Sequence, residues 1–392
     1  MLPLDTILKD HGAESACLVS LLRRRLGCSG EVGSFPLPTP PDPQHLMDLM
    51  IRHEVVPLAT RPGDLEGVDV EAMDGLLASL RLRTAWNLVL FREMKSLSQW
   101  FEELGIEVLF YKGLVLCDLL HGDLTTRPTR DIDILVRARD FLRVRDRLLE
   151  AGFTEDYPFP LSNARYFMGV NRESAYSRML PEGMELNVEV QWAPVLPFYS
   201  VPFDNDPLFL SASIAEFGGV RVPVPSLEVQ FLLLLAHHGV SELWHSLKHL
   251  TDMAFFIQNK GGEMDWDEVS EGIRKWGMSG NAAVGFGLCR ALLGTEIPAG
   301  LPVCRDEALL RRMRMRLLSE EPTSRSQILP ANMFLQWRLT EGFIGKTRLL
   351  LGYLRKWVSP SLHDLNALRL PPVLFPLYYL IKPFRFLFAP RS

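Results

Sequence analysis

The chain has 392 residues, of which 47% are hydrophobic and 23% are charged, and its formal net charge is −5. The length predicts two or three domains or subdomains, and the composition is typical of a folded protein and excludes a disordered chain. The acidic balance argues against a protein that coats nucleic acid, although a local basic patch is compatible with it. The cysteines are scattered and form no CxxC pair, which favours free thiols in the cytoplasm over disulfides or a zinc site.

The first hundred residues are predicted to be mainly helical. A short helix is expected within residues 1–30, and five prolines in 31–44 predict a linker or surface loop before a helix at 45–56. Residues 69–104 contain no proline and place apolar side chains at helical spacing, so they predict a long helix that ends at Gly105. No basic segment followed by an apolar run opens the chain, so we expect no signal peptide.

A small α/β unit follows this helix. Residues 106–111 (IEVLFY) predict a strand, and residues 114–121 predict a helix after a Lys-Gly turn. After a polar loop, DIDILV at 131–136 predicts a second strand, and 138–151 predicts an amphipathic helix. In MELNVEVQW, at 184–192, polar and apolar side chains alternate strictly, which is the period of a half-buried strand.

After a proline-rich stretch at 194–207 and a turn at 221–226, the chain is predicted to be helical again. Two helices are expected within 227–259, and others in 264–298 and in parts of 304–358. The whole pattern predicts an α+β fold, in which a small mixed β-sheet is flanked by N-terminal and C-terminal helical regions. The domains that we expect are a helical region at 1–84, an α/β core at 85–200 and a C-terminal helical domain at 201–392.

Two aspartates in TRPTRDIDILV (126–136) are the first candidates for chemistry. Residues i and i+2 of a strand face the same side, so Asp131 and Asp133 would project together. Two close carboxylates repel each other, and Mg²⁺ would relieve that repulsion because it prefers hard oxygen ligands. The alternative is a structural acid pair whose charge Arg127 and Arg130 offset.

Glu189 is the candidate third acid. It lies on the polar face of the strand predicted at 184–192. If that strand neighbours 131–136, the carboxylate of Glu189 faces those of Asp131 and Asp133. There it would bind a metal ion or accept a proton from an attacking hydroxyl. The alternative is a glutamate on a solvated face.

The turn between the first strand and its helix supplies the positive half of a phosphate site. Gly113 would let the backbone approach a phosphate at a helix N-terminus, and Lys112 would add a full charge. Arg127 and Arg130 carry guanidinium groups whose geometry suits phosphate oxygens. Other roles stay open: an ordinary turn with a solvated Lys112, a pairing of Arg127 with Asp131, and a structural or exposed Arg130.

Together these motifs resemble a known family. Lys112-Gly113, RPTRDIDILV at 127–136 and EVQW at 189–192 are similar to the uncharacterised bacterial nucleotidyltransferase family of the DNA polymerase β-like nucleotidyltransferase superfamily. The resemblance is strongest over residues 85–260. It departs from the superfamily pattern at two positions, because no serine follows Gly113 and because Gln191 stands where relatives often have histidine.

The resemblance also includes a His-Gly pair and a helix with a basic and an acidic residue. His238, Lys248 and Asp252 occupy these positions. We favour simpler roles for them, namely a core or capping histidine and an i,i+4 ion pair between Lys248 and Asp252.

The resemblance implies transfer of a nucleoside monophosphate from an NTP, with ATP as the expected donor, to a hydroxyl, with release of pyrophosphate. It implies Mg²⁺ as the cofactor, with Mn²⁺ as the alternative, and an acceptor that is a small molecule, a peptide, a protein or an RNA end. The catalytic and metal-binding residues would be Asp131, Asp133 and Glu189. The nucleotide-binding residues would be Lys112, Gly113, Arg127 and Arg130.

Two other classes of function stay open. The two departures from the superfamily pattern are compatible with a catalytically degenerate module that binds a nucleotide or a protein. Residues 343–392 contain eight Lys or Arg and one acid, so this tail could contact an anionic membrane surface or an acidic partner. For the tail we favour packing over the helical domain with the charges exposed.

Overall fold

The structure is a computed structural model of the chain. It describes residues 1–28, 41–60, 70–181, 183–199, 201–203, 206–319, 325–367 and 370–380. Most of the linker predicted at 31–44 and the end of the basic tail lie outside these residues. The described residues form many helices around a small mixed sheet, so the predicted α+β class is confirmed.

The N-terminal part is helical, as predicted. Its helices within the described residues are α1 (Leu4–Arg25), α2 (Pro43–Arg52), α3 (Val56–Ala59) and α4 (Val70–Glu103). The side chain of Asp42 caps α2 by accepting a hydrogen bond from the backbone N–H of His45 at 2.8 Å. The chain leaves α4 at Gly105, whose φ of +60° lies in the left-handed region that favours glycine. Because α4 is continuous, the domain boundary predicted between 84 and 85 falls inside a helix.

The main sheet has five strands and three intervening helices. The strands are β1 (Val108–Phe110), β2 (Ile132–Val136), β3 (Thr154–Glu155), β4 (Glu173–Met179) and β5 (Glu185–Gln191). The helices are α5 (Gly113–His121), α6 (Phe141–Glu150) and α7 (Ala164–Val170). The strand order is β1-β2-β5-β4-β3, and β2 and β5 are parallel while the other neighbours are antiparallel. The sheet is therefore mixed, as predicted, and β5 lies between β2 and β4.

The two faces of this sheet pack against different parts of the molecule. Ile132 and Ile134 belong to a core shared with α4 and α6, whereas Leu135 belongs to the core of the C-terminal helices. Strand side chains alternate between faces, so Asp133 lies on the face that Leu135 occupies. The polar residues of β2 and β5 therefore face the C-terminal helices.

A hairpin follows the sheet where the sequence predicted only a turn. Helix α8 (Asp206–Leu210) leads into β6 (Ser213–Phe217) and β7 (Val220–Val224). The connecting residues Gly218 and Gly219 both have positive φ, as the two-residue turn of a tight hairpin requires. The prediction of a turn at 221–226 is therefore wrong, because the Gly-Gly pair a few residues earlier is the true turning point.

The C-terminal part is helical, as predicted. Its helices are α9 (Leu227–Leu235), α10 (Leu247–Lys260), α11 (Trp266–Lys275), α12 (Ser279–Leu288), α13 (Glu307–Leu318), α14 (Arg325–Leu339), α15 (Gly342–Val358) and α16 (Leu362–Ala367). A π-helical segment, Ala236–Ser241, ends α9 and separates it from α10 near Gly239, as the sequence predicts. None of the helices in the described parts is both long enough and apolar enough to cross a membrane. The five cysteines are unpaired, and they are Cys17, Cys28, Cys117, Cys289 and Cys304.

Candidate active site

The two strands predicted to carry the acids are neighbours in the sheet. Asp133 on β2 is directly opposite Glu189 on β5. The Nε2 atom of Gln191 donates to Oδ1 of Asp133 and to Oε2 of Glu189, each at 2.9 Å. The two carboxylates are therefore no farther apart than the sum of these distances, which is inside the roughly 8 Å over which acids share an ion directly or through water. Asp131 lies one residue before β2 and is partly buried.

Gln191 holds these two acids in place. Its side chain is completely buried, and the hydroxyl of Tyr111 donates to its Oε1 atom. Because the amide oxygen is used by Tyr111, the amide NH₂ faces the carboxylates. Gln191 therefore orders Asp133 and Glu189.

Burial and neighbouring negative charges raise the pKa values of two of the acids. Burial and the charge of Asp133 raise the pKa of Asp131 to about 6. Burial raises the pKa of Glu189 to about 8, with further contributions from Asp133, Glu173 and Asp131. Both shifts mean that the site disfavours additional negative charge, so a cation bound there would be stabilised.

Lys112 supplies one cation to this site. Its Nζ atom lies 3.1 Å from Oδ1 of Asp133, and both side chains are buried. Burial opposes the charge of Lys112, but Asp133, Tyr111 and Glu189 together outweigh it and raise the lysine pKa above its ordinary value. The structure therefore excludes a solvated lysine. The φ of Lys112 is +53°, a conformation that costs a non-glycine residue energy and is typical of functional sites.

Gly113 begins α5 and lies against the loop before β2. A Cβ atom at Gly113 would lie 3.1 Å from Cγ2 of Thr129 and 3.5 Å from the carbonyl oxygen of Asp131. The hydroxyl of Thr129 is buried and has no hydrogen-bond partner within the described part of the chain. It thus offers a free donor beside a turn that lacks a serine. No pattern in the sequence pointed to Thr129, although it lies two residues before Asp131.

Arg127 forms a buried ion pair with Asp252 of α10. Its Nε and Nη2 atoms lie 3.0 Å from the two carboxylate oxygens, and His238 Nε2 lies 3.2 Å from Oδ2. Burial would raise the pKa of Asp252, but Arg127 and His238 hold it far below its usual value. The alternative pairing of Arg127 with Asp131 and the pairing of Lys248 with Asp252 are therefore wrong. The phosphate-binding role of Arg127 stays a prediction.

Glu54, between α2 and α3, brings the N-terminal region to the site. It forms ion pairs with Lys248 and with Arg130, whose Nη2 atom is 2.5 Å from Oε1 of Glu54. Arg130 is otherwise exposed, so its predicted contact with phosphate is untested. Burial lowers the pKa of Lys248, and the neighbouring Arg127 lowers it further. No local pattern in the sequence pointed to Glu54.

A cavity of about 350 Å³ opens beside Glu189. Its wall includes Arg172 and Glu173, which form an ion pair at 3.0 Å at the start of β4. The side chains of Tyr199 and Ser241 also line it. The residues of β4 show no clear periodicity in the sequence, and Arg172 and Glu173 become recognisable as neighbours of the site only because β4 pairs with β5.

The donor chemistry of the acids fits Mg²⁺. Within the residues that the structure describes, no three acid, histidine or cysteine side chains converge closely enough to hold an ion as they stand. Lys112 instead compensates Asp133. Asp131 and Glu189, with their raised pKa values, are hard oxygen donors whose repulsion a divalent ion would relieve. Their role as metal ligands stays a prediction.

The site combines acids on neighbouring strands of a small mixed sheet with the buried Lys112 at the start of α5. The sequence pattern of the uncharacterised nucleotidyltransferase family matches residues 39–294, and the chain belongs to this family. Among solved structures, an antigenic nucleotidyltransferase-like protein from Paracoccidioides brasiliensis is 18% identical. That alignment covers 56% of this chain and 94% of the other, with a TM-score of 0.32. No curated protein matches the chain.

Proposed function

We propose that this member of the family transfers a nucleoside monophosphate, most simply AMP from ATP, to a hydroxyl of an acceptor. Membership of a nucleotidyltransferase family supports nucleotidyl transfer in general. The observation that carries the specific proposal is the pairing of Asp133 with Glu189, bridged by Gln191 and adjacent to Lys112. The proposed enzyme acts in the cytoplasm.

Glu189 is the proposed base of the reaction. The acceptor oxygen forms a bond to the α-phosphorus, the bond to the pyrophosphate oxygen breaks, and the hydroxyl proton goes to the Glu189 carboxylate. Glu189 would act in its ionised form, which bound Mg²⁺ would favour because a nearby cation offsets the burial and the neighbouring acids that raise its pKa. Its position on the wall of the 350 Å³ cavity supports this role, because an acceptor hydroxyl can enter there.

Lys112 and the start of α5 are the proposed holders of the triphosphate. The ammonium group of Lys112 is already fixed beside the acids, and Gly113 begins α5, whose N-terminus has backbone N–H groups that can bind phosphate. The free hydroxyl of Thr129 can donate the hydrogen bond that a serine gives in other superfamily members. Asp131, Asp133 and Glu189 would hold Mg²⁺, which supplies neutralisation of the charge on the reacting phosphates.

Two adjoining cavities are the proposed binding region for the acceptor. The 350 Å³ cavity shares part of its wall with a cavity of about 620 Å³ between α7 and α15. The shared residues are Phe167, Asn171, Leu196 and Leu362. Volumes of this size are typical of sites for small molecules or single side chains.

The test is incubation with labelled NTPs, Mg²⁺ and cell extract, followed by identification of whatever becomes labelled. We expect the double variant Asp131→Ala/Asp133→Ala to lose labelling and pyrophosphate release, and Glu189→Ala to lose at least about a hundredfold in rate. Glu185→Ala is the matched control, because Glu185 lies on the same strand but is exposed. Nucleotide binding without pyrophosphate release would instead support the degenerate binding module.

A further inference from the structure

Helix α15 has its apolar side on the outside. Projected at 3.6 residues per turn, seven apolar residues recur at spacings that place them on one side of the helix. They are Phe343, Ile344, Leu350, Leu351, Leu354, Trp357 and Val358. All seven are exposed, with Phe343 85% and Trp357 74% accessible. An ordinary surface helix has the reverse arrangement.

The opposite side of α15 fixes the helix to the body of the protein. Leu349 is buried, and the Tyr353 ring centroid lies 5.3 Å from that of Phe198. At Gly352 the helix approaches so closely that an added Cβ atom would lie 2.1 Å from the carbonyl oxygen of Phe198. The apolar stripe is therefore held outward by packing on the far side.

Basic residues accompany the apolar stripe. Residues 342–358 contain four Lys or Arg and no acid, whereas the whole chain has a net charge of −5. Lys346 lies on one flank of the stripe, and Arg348 and Arg355 lie on the other. Pairing of this face with a second copy of the chain would bring these cations together. An anionic surface would instead attract this face and repel the rest of the molecule.

We propose that α15 binds in the plane of an anionic membrane surface, with the seven apolar side chains inserted among the lipid headgroups and the flanking cations on lipid phosphates. An amphipathic helix with Trp, Phe and Leu on one face and Lys or Arg at its borders has the chemistry for this mode of binding. The proposal does not depend on the nucleotidyl transfer proposed above. The sequence favoured a basic tail that packs over the helical domain and exposes only its charges, whereas α15 also exposes apolar side chains.

The experiment is co-sedimentation of the full chain with vesicles. Phosphatidylcholine vesicles with about one-third phosphatidylglycerol are compared with pure phosphatidylcholine, at low and high salt. We expect binding to the anionic vesicles that weakens as salt rises. The variant Leu354→Ser/Trp357→Ser should lower the partition coefficient at least about tenfold.

The matched control is Leu82→Ser/Leu210→Ser, which removes two exposed leucines from α4 and α8. It should bind like the wild type, and equal thermal midpoints of all three proteins show that folding is intact. The proposal is overturned if the wild type ignores anionic vesicles, or if both double variants bind alike. It is also overturned if the wild type shows no vesicle binding but self-associates in sedimentation velocity, and Leu354→Ser/Trp357→Ser abolishes that self-association. The stripe is then a contact between copies of the chain.

Discussion

The polar face of the sheet and the outer face of α15 depart from the usual distribution of side chains in opposite ways. The sheet buries charges: Lys112, Asp133 and the pair of Arg127 with Asp252 are largely shielded from water. Helix α15 exposes a stripe of large apolar side chains. The buried charges are interlocked, so a change at one leaves another without a partner. The exposed stripe has no comparable partners in the described structure, so the fold should tolerate changes there.

Removal of Arg127 should have the largest effect on stability. Arg127→Met leaves Asp252 buried with only His238 as a partner, so we expect the free energy of unfolding to fall by about 3–5 kcal/mol. Arg130→Met is the control, because it breaks an exposed ion pair with Glu54 and should cost less than about 1 kcal/mol. Urea unfolding of both variants measures the difference. Equal losses would show that the Arg127–Asp252 pair is not structural.

Glu189 should destabilise the protein as pH rises when divalent ions are removed. The pKa of Glu189 is about 8 in the folded protein and 4.5 in the unfolded chain. Between these two pH values the folded state therefore binds this proton more tightly than the unfolded state does. Stability is therefore greatest below pH 4.5 on this account and is lost as pH rises through 8. In EDTA, Glu189→Gln should be more stable than the wild type at pH 9 by about 1–3 kcal/mol. The gap should close near pH 4.5. Glu185→Gln, which changes an exposed residue of the same strand, is the matched control.

Lys112 offers a test of backbone strain. Lys112→Ala and Lys112→Gly both remove the ion pair with Asp133, but only glycine relieves the positive φ. We expect the glycine variant to be more stable than the alanine variant by about 1–2 kcal/mol. The control is the same pair of substitutions at Lys95, which is exposed within α4. There the alanine variant should be more stable than the glycine variant by about 1 kcal/mol. The same order at both positions would contradict the strained turn.

The outer stripe of α15 should give the smallest effect. Leu354→Ser/Trp357→Ser should change the free energy of unfolding by no more than about 0.5 kcal/mol, because both side chains are exposed. Leu349→Ala, on the packed side of the same helix, should cost about 2–4 kcal/mol. A large loss in the double variant would mean that these side chains pack against protein.

Local periodicity predicted the strands that carry the acids, whereas the ion pairs around the site depend on contacts between residues far apart in the sequence. The alternation around Glu189 and the apolar residues around Asp133 are local signals, and both strands form where they were expected. The pairing of Arg127 with Asp252 joins residues 125 positions apart, so no spacing pattern could reveal it. The pair Arg172 and Glu173 was missed for the same reason, because its relation to the site depends on which strand lies beside β5.

One prediction failed although a local signal was present. The hairpin of β6 and β7 turns at Gly218 and Gly219, and a Gly-Gly pair between short β-prone runs is a recognised hairpin signal. The prolines at 223 and 225 instead predicted a turn at 221–226. A strand at the edge of a sheet tolerates a proline, and Pro223 lies in β7, a strand of the two-stranded hairpin.

The central position of β5 has a consequence for biosynthesis. It is the last of the five strands to leave the ribosome, yet it lies between β2 and β4. Until residue 191 has emerged, β2 and β4 each have an unpaired edge, and unpaired strand edges promote aggregation. The nascent chain therefore passes through an interval in which it needs protection, and that interval ends with the same strand that completes the pair of Asp133 and Glu189.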